Sequence, residues 1–147
     1  RNVCMISKII YKELPIEDIA YLNREEFTEN GPEKAFYQHL KQSIAKHGIK
    51  DPVYIVYGDK NYGDIFKVIV GNNRMVIAKT LGIKTIPSII NNLKSDTHPI
   101  EGTVLETDED IKSYFYLPDQ LQIRRNEQGV IDQIMPVYYQ TVKEHYV

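Results

Sequence analysis

The stretch Phe66-Lys-Val-Ile-Val-Gly-Asn-Asn-Arg-Met-Val-Ile-Ala-Lys-Thr-Leu-Gly-Ile-Lys-Thr-Ile-Pro87 has the pattern of a strand, a tight turn, a short helix and a second strand. Residues 66–70 form a run of β-branched and aromatic side chains, which is typical of a buried strand. Gly71 permits the sharp turn from strand to helix, and the side-chain oxygen of Asn72 or Asn73 is suited to cap the helix. We expect the fold to be organised around this corner.

Arg74 is the unusual residue of this helix. At about 100° per residue it falls within an apolar arc that includes Met75, Ile77 and Ala78. It also lies in the first turn, where the free N–H groups and the helix dipole favour anions and disfavour a cation. A guanidinium that faces the core needs an anionic partner. Two partners remain open: the carboxylate of an acidic side chain, or a phosphate that Arg74 binds together with the N–H groups of residues 71–74.

The composition is that of an ordinary globular chain. Of 147 residues, 42% are hydrophobic and 26% are charged, and the net charge of −2 gives no general electrostatic footprint for nucleic acid. Cys4 is the single cysteine, so no internal disulfide forms and a reducing, cytoplasmic compartment is expected. No apolar run approaches the ~20 residues that span a bilayer, so we expect no membrane partner. The four histidines lack metal-ligand spacing, so no metal site is predicted.

The order of predicted elements indicates a mixed α/β fold with a small sheet and flanking helices. The first unit, residues 1–92, contains Met5–Leu14, Glu33–His47, Val53–Tyr57, Phe66–Val70, the helix after Gly71, and Ile83–Ile90. Residues 91–99 read as a polar linker.

An α/β extension, residues 93–147, is predicted after the first unit. It contains a short strand at 103–106, a capped helix that begins at Thr107 and runs through Phe115, a hairpin of 121–125 with 130–135, and a final helix at 137–145. We expect the extension either to pack on the first unit or to form a surface for a protein partner.

Four segments, in this order, resemble the sequence boxes of the ParB/sulfiredoxin superfamily, often labelled the ParB-like nuclease domain. The first is Ile16-Glu-Asp-Ile19 followed by Asn23-Arg24-x-x-Phe27. The second, Gln42 to Val53, contains His47-Gly48 before a proline. The third, Gly71-Asn-Asn-Arg74, occupies the position written GERR in ParB proteins and GCHR in sulfiredoxins. The fourth is Ala78 to Pro87, and the resemblance covers about residues 5–92.

The resemblance implies a nucleotide or phosphate site. Members of the superfamily use ATP or CTP, and Mg²⁺ accompanies such phosphates. By position, Arg74 matches the phosphate-binding arginine and Arg24 matches the arginine of the first box. His47 and Gly48 match the segment beside the nucleotide, and Gly71, Asn72 and Asn73 complete the predicted binding set.

The departures from the superfamily pattern bear on catalysis. Asn72 stands where sulfiredoxins have their catalytic cysteine and where ParB proteins have a glutamate linked to hydrolysis, and an amide is no general base. The sequence therefore favours binding over sulfinic acid reduction and leaves phosphoryl transfer or NTP hydrolysis open. Two other functions also remain open: a DNA-acting module, which the net charge does not support, and an interaction protein with a vestigial cradle.

Overall fold

A mixed sheet of six strands, in the order β2-β4-β3-β5-β1-β6, forms the centre of the computed structural model, which describes residues 7–23 and 34–137. The strands are β1 (Lys8–Pro15), β2 (Ile19–Ala20), β3 (Val53–Tyr57), β4 (Phe66–Val70), β5 (Thr85–Asn92), β6 (Thr103–Leu105), β7 (Leu121–Arg125) and β8 (Ile131–Pro136). The helices are α1 (Lys34–His47), α2 (Asn72–Thr80) and α3 (Asp108–Lys112), with 3₁₀ turns at Ile16–Asp18 and Pro118–Gln120. The predicted mixed α/β fold is confirmed.

The helices α1 and α2 cover one face of the sheet. Alternation along β3 directs Val53 and Ile55 to this face, where both are fully buried. They pack with Met75 and Ala78 of α2, and Ile77 of α2 packs with α1. The apolar arc predicted for α2 therefore forms the main contact between helices and sheet.

The opposite face of the sheet is covered by α3 and by the β7–β8 hairpin, which we call the C-terminal hairpin. The alternate residues of β3, Tyr54 and Val56, pack on this side. The residues that cover them from the extension are Leu105, Ile111, Phe115, Ile131 and Ile134. The central strand β3 is thus buried on both faces, as its uninterrupted run of apolar residues implies.

Several predicted boundaries shift by a few residues in the structure, and two of these shifts change the interpretation of a segment. Residues 91 and 92 are the end of β5 and not the start of a linker, and both asparagines are buried. They are tolerated there because the Nδ2 of Asn91 donates to the Tyr54 hydroxyl (3.1 Å), and Asn92 donates to the carbonyl of His98 (2.7 Å). The helix predicted to run through Phe115 ends at Lys112, although its capping box on Thr107 is confirmed.

Several predictions lie outside the described residues. These are the first residues of the predicted opening strand, Cys4, Arg24 and the final helix beyond residue 137. Among the described helices, none has the length and apolar character that a bilayer span requires.

We propose that residues 93–137 complete the core and do not form a separate folding unit. Truncation after Asn92 should therefore expose Tyr54, Val56 and Ile89, which are at most 9% exposed in the full chain. We expect an aggregating fragment, or one without a cooperative transition in urea, because one face of the sheet loses its cover. A soluble fragment with a cooperative transition would show that the helix-covered face suffices.

The Tyr54 hydroxyl should contribute measurably to stability. It donates to the carbonyl of Ile131 at 2.8 Å and accepts from Asn91, which itself donates to the same carbonyl at 3.1 Å. Burial raises the pKa of Tyr54 to about 12, so the hydroxyl keeps its proton at neutral pH. We expect Tyr54→Phe to lower the free energy of unfolding by about 1–3 kcal/mol in urea titrations, whereas Tyr116→Phe, at a half-exposed ring, should change it by less than about 0.5 kcal/mol.

Candidate functional site

The turn between β4 and α2 has a geometry that only glycine satisfies. Gly71 has φ 118° and ψ 20°, in the left-handed region. A Cβ atom at this position would lie 2.5 Å from Cγ1 of Val53, so a side chain would collide with the start of β3. The absence of a side chain lets α2 begin directly against the sheet.

The prediction that Asn72 or Asn73 caps the helix is wrong. Gly71 is the N-cap, and the cap has no side-chain hydrogen bond. The Oδ1 of Asn72 instead accepts from the backbone N–H of Leu22 at 2.8 Å, which ties the corner to the segment after β2. The Oδ1 of Asn73 is inaccessible to solvent and has no hydrogen-bond partner among the described residues. Asn72 therefore has a long-range partner where a local one was expected.

The first turn of α2 holds main-chain donors that the helix itself does not use. The first helical hydrogen bond within it runs from the N–H of Met75 to the carbonyl of Gly71 (3.0 Å). The N–H groups of residues 72–74 precede this bond and have no acceptor in the helix, as at every helix start. They give this end of α2 a partial positive charge.

Arg74 is buried, as its helical phase predicts, with 2% of its surface exposed. Its NH1 donates to the carbonyl oxygens of Asp51 at 2.6 Å and Pro52 at 2.7 Å. These main-chain acceptors, immediately before β3, were not among the partners considered from the sequence. Arg74 therefore fastens α2 to the start of the central strand. This role is separate from any contact that the guanidinium makes with a ligand.

A cavity of about 230 Å³, which we call the corner cavity, lies at the carboxyl end of β4. It is lined by Phe36, Leu40, Ile69, Val70, Gly71, Asn72, Asn73, Arg74, Gln133 and Met135. The lining comes from both sides of the sheet, since α1 packs on one face and β8 on the other. One wall is thus the polar start of α2, and much of the remainder is apolar.

The other predicted site residues lie elsewhere. Gly48 lines a second cavity of about 490 Å³ together with Tyr11, Lys50, Pro52 and other residues. His47, at the end of α1, is exposed and lines neither cavity. A hydrogen bond connects their linings, because the carbonyl of Pro52, which lines the second cavity, accepts from Arg74, which lines the corner cavity. The structure therefore brings residues 71–74 together, separates them from Gly48, and does not describe Arg24.

Two of the larger cavities have linings of different chemistry. In the second cavity, burial and a hydrogen bond to Glu13 raise the pKa of Tyr11 to about 12. A third cavity, of about 480 Å³, lies near the end of α2 and has Lys79 and Lys84 in its lining. Within the described residues, His, Cys, Asp and Glu side chains nowhere gather as a set of three metal ligands. Of these three cavities, the corner cavity is the one that the Gly71–Arg74 segment lines.

Sequence reasoning missed Gln133 and Met135, which the C-terminal hairpin contributes to the corner cavity. The alternating pattern of residues 130–135 predicted the hairpin but gave no signal of where it packs. These two residues lie about sixty positions from Gly71, and only the tertiary fold brings them together.

A sequence profile described as the ParB N-terminal domain matches residues 5–105. The chain belongs to the ParB N-terminal domain family, within the ParB/sulfiredoxin superfamily. No curated protein sequence matches the chain at a significant level. The predicted resemblance is confirmed, and it reaches β6 but excludes α3 and the C-terminal hairpin.

Three solved structures are among those to which this chain is similar. C-terminally truncated ParB from Caulobacter crescentus, complexed with CTP-γ-S, is 18% identical with a TM-score of 0.42, covering 71% of this chain and 49% of that one. Sulfiredoxin from Arabidopsis thaliana is 20% identical, with a TM-score of 0.42 and coverage of 63% and 98%. A Pnob8-like ParB-N domain is 19% identical, with a TM-score of 0.43 and coverage of 74% and 36%. This chain thus spans about half of the Caulobacter chain.

Arg74→Ala should destabilise the protein without any ligand. The change removes the donor for the two carbonyls before β3 and leaves a void in the core. We expect the free energy of unfolding in urea to fall by about 2–5 kcal/mol. The exposed Arg124, which pairs with Asp132 on the hairpin, provides the control, and Arg124→Ala should cost less than about 1 kcal/mol. Equal stability of Arg74→Ala and wild type would contradict the fastening role.

Proposed function

We propose that this ParB N-terminal domain binds the phosphate groups of a nucleoside triphosphate, or of a related phosphate ligand, in the corner cavity. The observation that carries the proposal is the position of this cavity at the first turn of α2. There the Gly71–Arg74 segment lines the cavity, and three main-chain N–H groups precede the first helical hydrogen bond. Such a turn after a glycine favours anions through its donors and through the helix dipole.

The side chains of the corner suit the same ligand. Asn72 and Asn73 each carry an amide group that can donate to phosphate oxygens. The Oδ1 of Asn72 accepts from Leu22, which leaves its Nδ2 group as the donor that can turn toward a ligand. Arg74 adds a permanent positive charge to the wall of the cavity, even though its NH1 is engaged by carbonyls. Arg24, in the segment matching the first family box, is proposed as a further phosphate ligand.

The resemblance to the superfamily supports a nucleotide over a bare phosphate. ATP and CTP are therefore the first ligands to test, the latter also because Caulobacter ParB was crystallised with CTP-γ-S. Mg²⁺ would be bound through the phosphates, since this ion commonly takes few protein ligands and keeps several waters. His47 and Gly48 would contact such a ligand only if it extends past Pro52 toward the second cavity.

The lining of the corner cavity favours binding over catalysis. Among the described residues that line the corner cavity there is no carboxylate, histidine or cysteine to act as a general base or nucleophile. Phosphoryl transfer depends largely on positioning and charge stabilisation, so a bound nucleotide with Mg²⁺ would supply part of what that chemistry requires.

Asn73→Asp tests the proposal, because it keeps the shape of the side chain and adds a negative charge to the cavity. In wild type, ATP or CTP with Mg²⁺ at a hundred times its dissociation constant should raise the free energy of unfolding by about 2.7 kcal/mol. In Asn73→Asp this gain should vanish, because the carboxylate repels phosphate. Asn73→Ala, which only removes the amide, should weaken binding less. Thermal-shift and calorimetric titrations provide the measurements.

Asn61→Asp is the matched control, because it adds the same charge in the exposed loop between β3 and β4. It should bind like wild type. The melting temperature of ligand-free Asn73→Asp has to be measured first, because the carboxylate places charge at the buried Oδ1 position, and binding is compared at a temperature at which the variant is folded. Nucleotide binding that is equal in wild type and Asn73→Asp would place the ligand elsewhere, and no stabilisation by any phosphate ligand would refute the proposal.

A further inference from the structure

The C-terminal hairpin supplies one wall of the corner cavity, although it lies beyond the residues that the family profile matches. Alternation along β8 places Gln133 and Met135 on one face and Ile134 on the other. Ile134 is 1% exposed and packs on the sheet, whereas Gln133 and Met135 are half-buried and line the cavity. The hairpin therefore presents an amide and a thioether to whatever occupies this space.

The hydrogen-bonding capacity of Gln133 is largely unused within the described structure. Among the described residues, the Nε2 of Gln133 donates one hydrogen bond, to the sulfur of Met135 at 3.9 Å. A thioether is a weak acceptor. The side chain of Gln133 lines the corner cavity together with the apolar residues Phe36, Ile69 and Val70. An amide at such a place offers a donor and an acceptor side by side to a bound molecule.

The backbone that leads to Gln133 is anchored by buried contacts at the start of β8. The carbonyl of Ile131 accepts hydrogen bonds from both Tyr54 and Asn91, which are each 1% exposed. These bonds anchor β8 to the two central strands two residues before Gln133. This anchoring holds the backbone at Gln133 beside the cavity, so only the side chain has to be ordered when the amide binds a ligand.

We propose that Gln133 is the specificity-determining residue of the corner cavity and selects among nucleotides by hydrogen-bonding to the edge of the base. The inference rests on the proposed function, because it assigns the base end of a ligand whose phosphates lie at residues 71–74. A nucleobase presents a donor and acceptor pattern in one plane, which an amide can match with two hydrogen bonds. Met135 and Phe36 supply the apolar and aromatic surface that a base packs against.

The test compares dissociation constants for ATP, CTP, GTP, UTP and inorganic tripolyphosphate, each with Mg²⁺, in wild type and two variants. Gln133→Leu removes the amide at nearly the same volume. Gln122→Leu is the matched control, because Gln122 is exposed on the neighbouring strand and does not line the cavity. Wild type should prefer its best base over its worst by about tenfold or more. Gln133→Leu should reduce this preference to less than threefold, while its affinity for tripolyphosphate and the preference of Gln122→Leu stay unchanged.

The other outcomes overturn either the role of Gln133 alone or the proposed function as well. An unchanged base preference in Gln133→Leu, or wild-type binding with no preference, refutes the role of Gln133 and leaves phosphate binding intact. Equal weakening of all five ligands, including tripolyphosphate, also refutes it, because the amide would then contact phosphate or only support the hairpin. Absence of binding to every ligand in wild type refutes the proposed function and this inference together.

Discussion

The buried contact between Arg74 and the carbonyls of Asp51 and Pro52 connects the parts of this domain. Arg74 belongs to the first turn of α2, and its acceptors immediately precede the central strand β3. The carboxylate of Asp51 in turn accepts from the backbone N–H of Tyr116 at 2.8 Å. One short segment thus links the helix layer, the sheet and the extension. A cation is retained in the core because the acceptors on this segment are satisfied by it.

The two faces of the sheet are completed by different parts of the chain. Residues up to β5 provide α1 and α2 for one face, and residues after β5 provide α3 and the C-terminal hairpin for the other. Since β3 contributes alternate side chains to both cores, a change on either face acts on the same strand. The effects of substituting Tyr54 and Arg74 on the free energy of unfolding are therefore expected to be non-additive, although the two side chains lie on opposite faces of the sheet.

Features set by local sequence were predictable, and features set by long-range packing were not. The run Val53–Tyr57, the turn at Gly71 and the capping box at Thr107 each carry their own signal, and the structure contains all three. The helical phase of Arg74 correctly predicted its burial, yet its acceptors lie more than twenty residues away and are main-chain atoms, which no side-chain pattern reveals. The side chain of Asn72 was assigned to a local cap for the same reason.

The two walls of the corner cavity differ in the same respect: one is set by local sequence and the other by long-range packing. Its polar wall is one contiguous segment, Gly71–Arg74, whose chemistry follows from a glycine turn and a helix start, so the sequence could indicate it. Its opposite wall comes from β8, outside the family match, so a change of these side chains leaves the Gly71–Arg74 turn itself unaltered. A domain built in this way separates the affinity for phosphate, which the shared corner would provide, from the choice of ligand, which the hairpin would provide. Under the proposed function, the ligand preference would then change through substitutions in one strand, because the strand that would carry the selecting residue is not the turn that organises the fold.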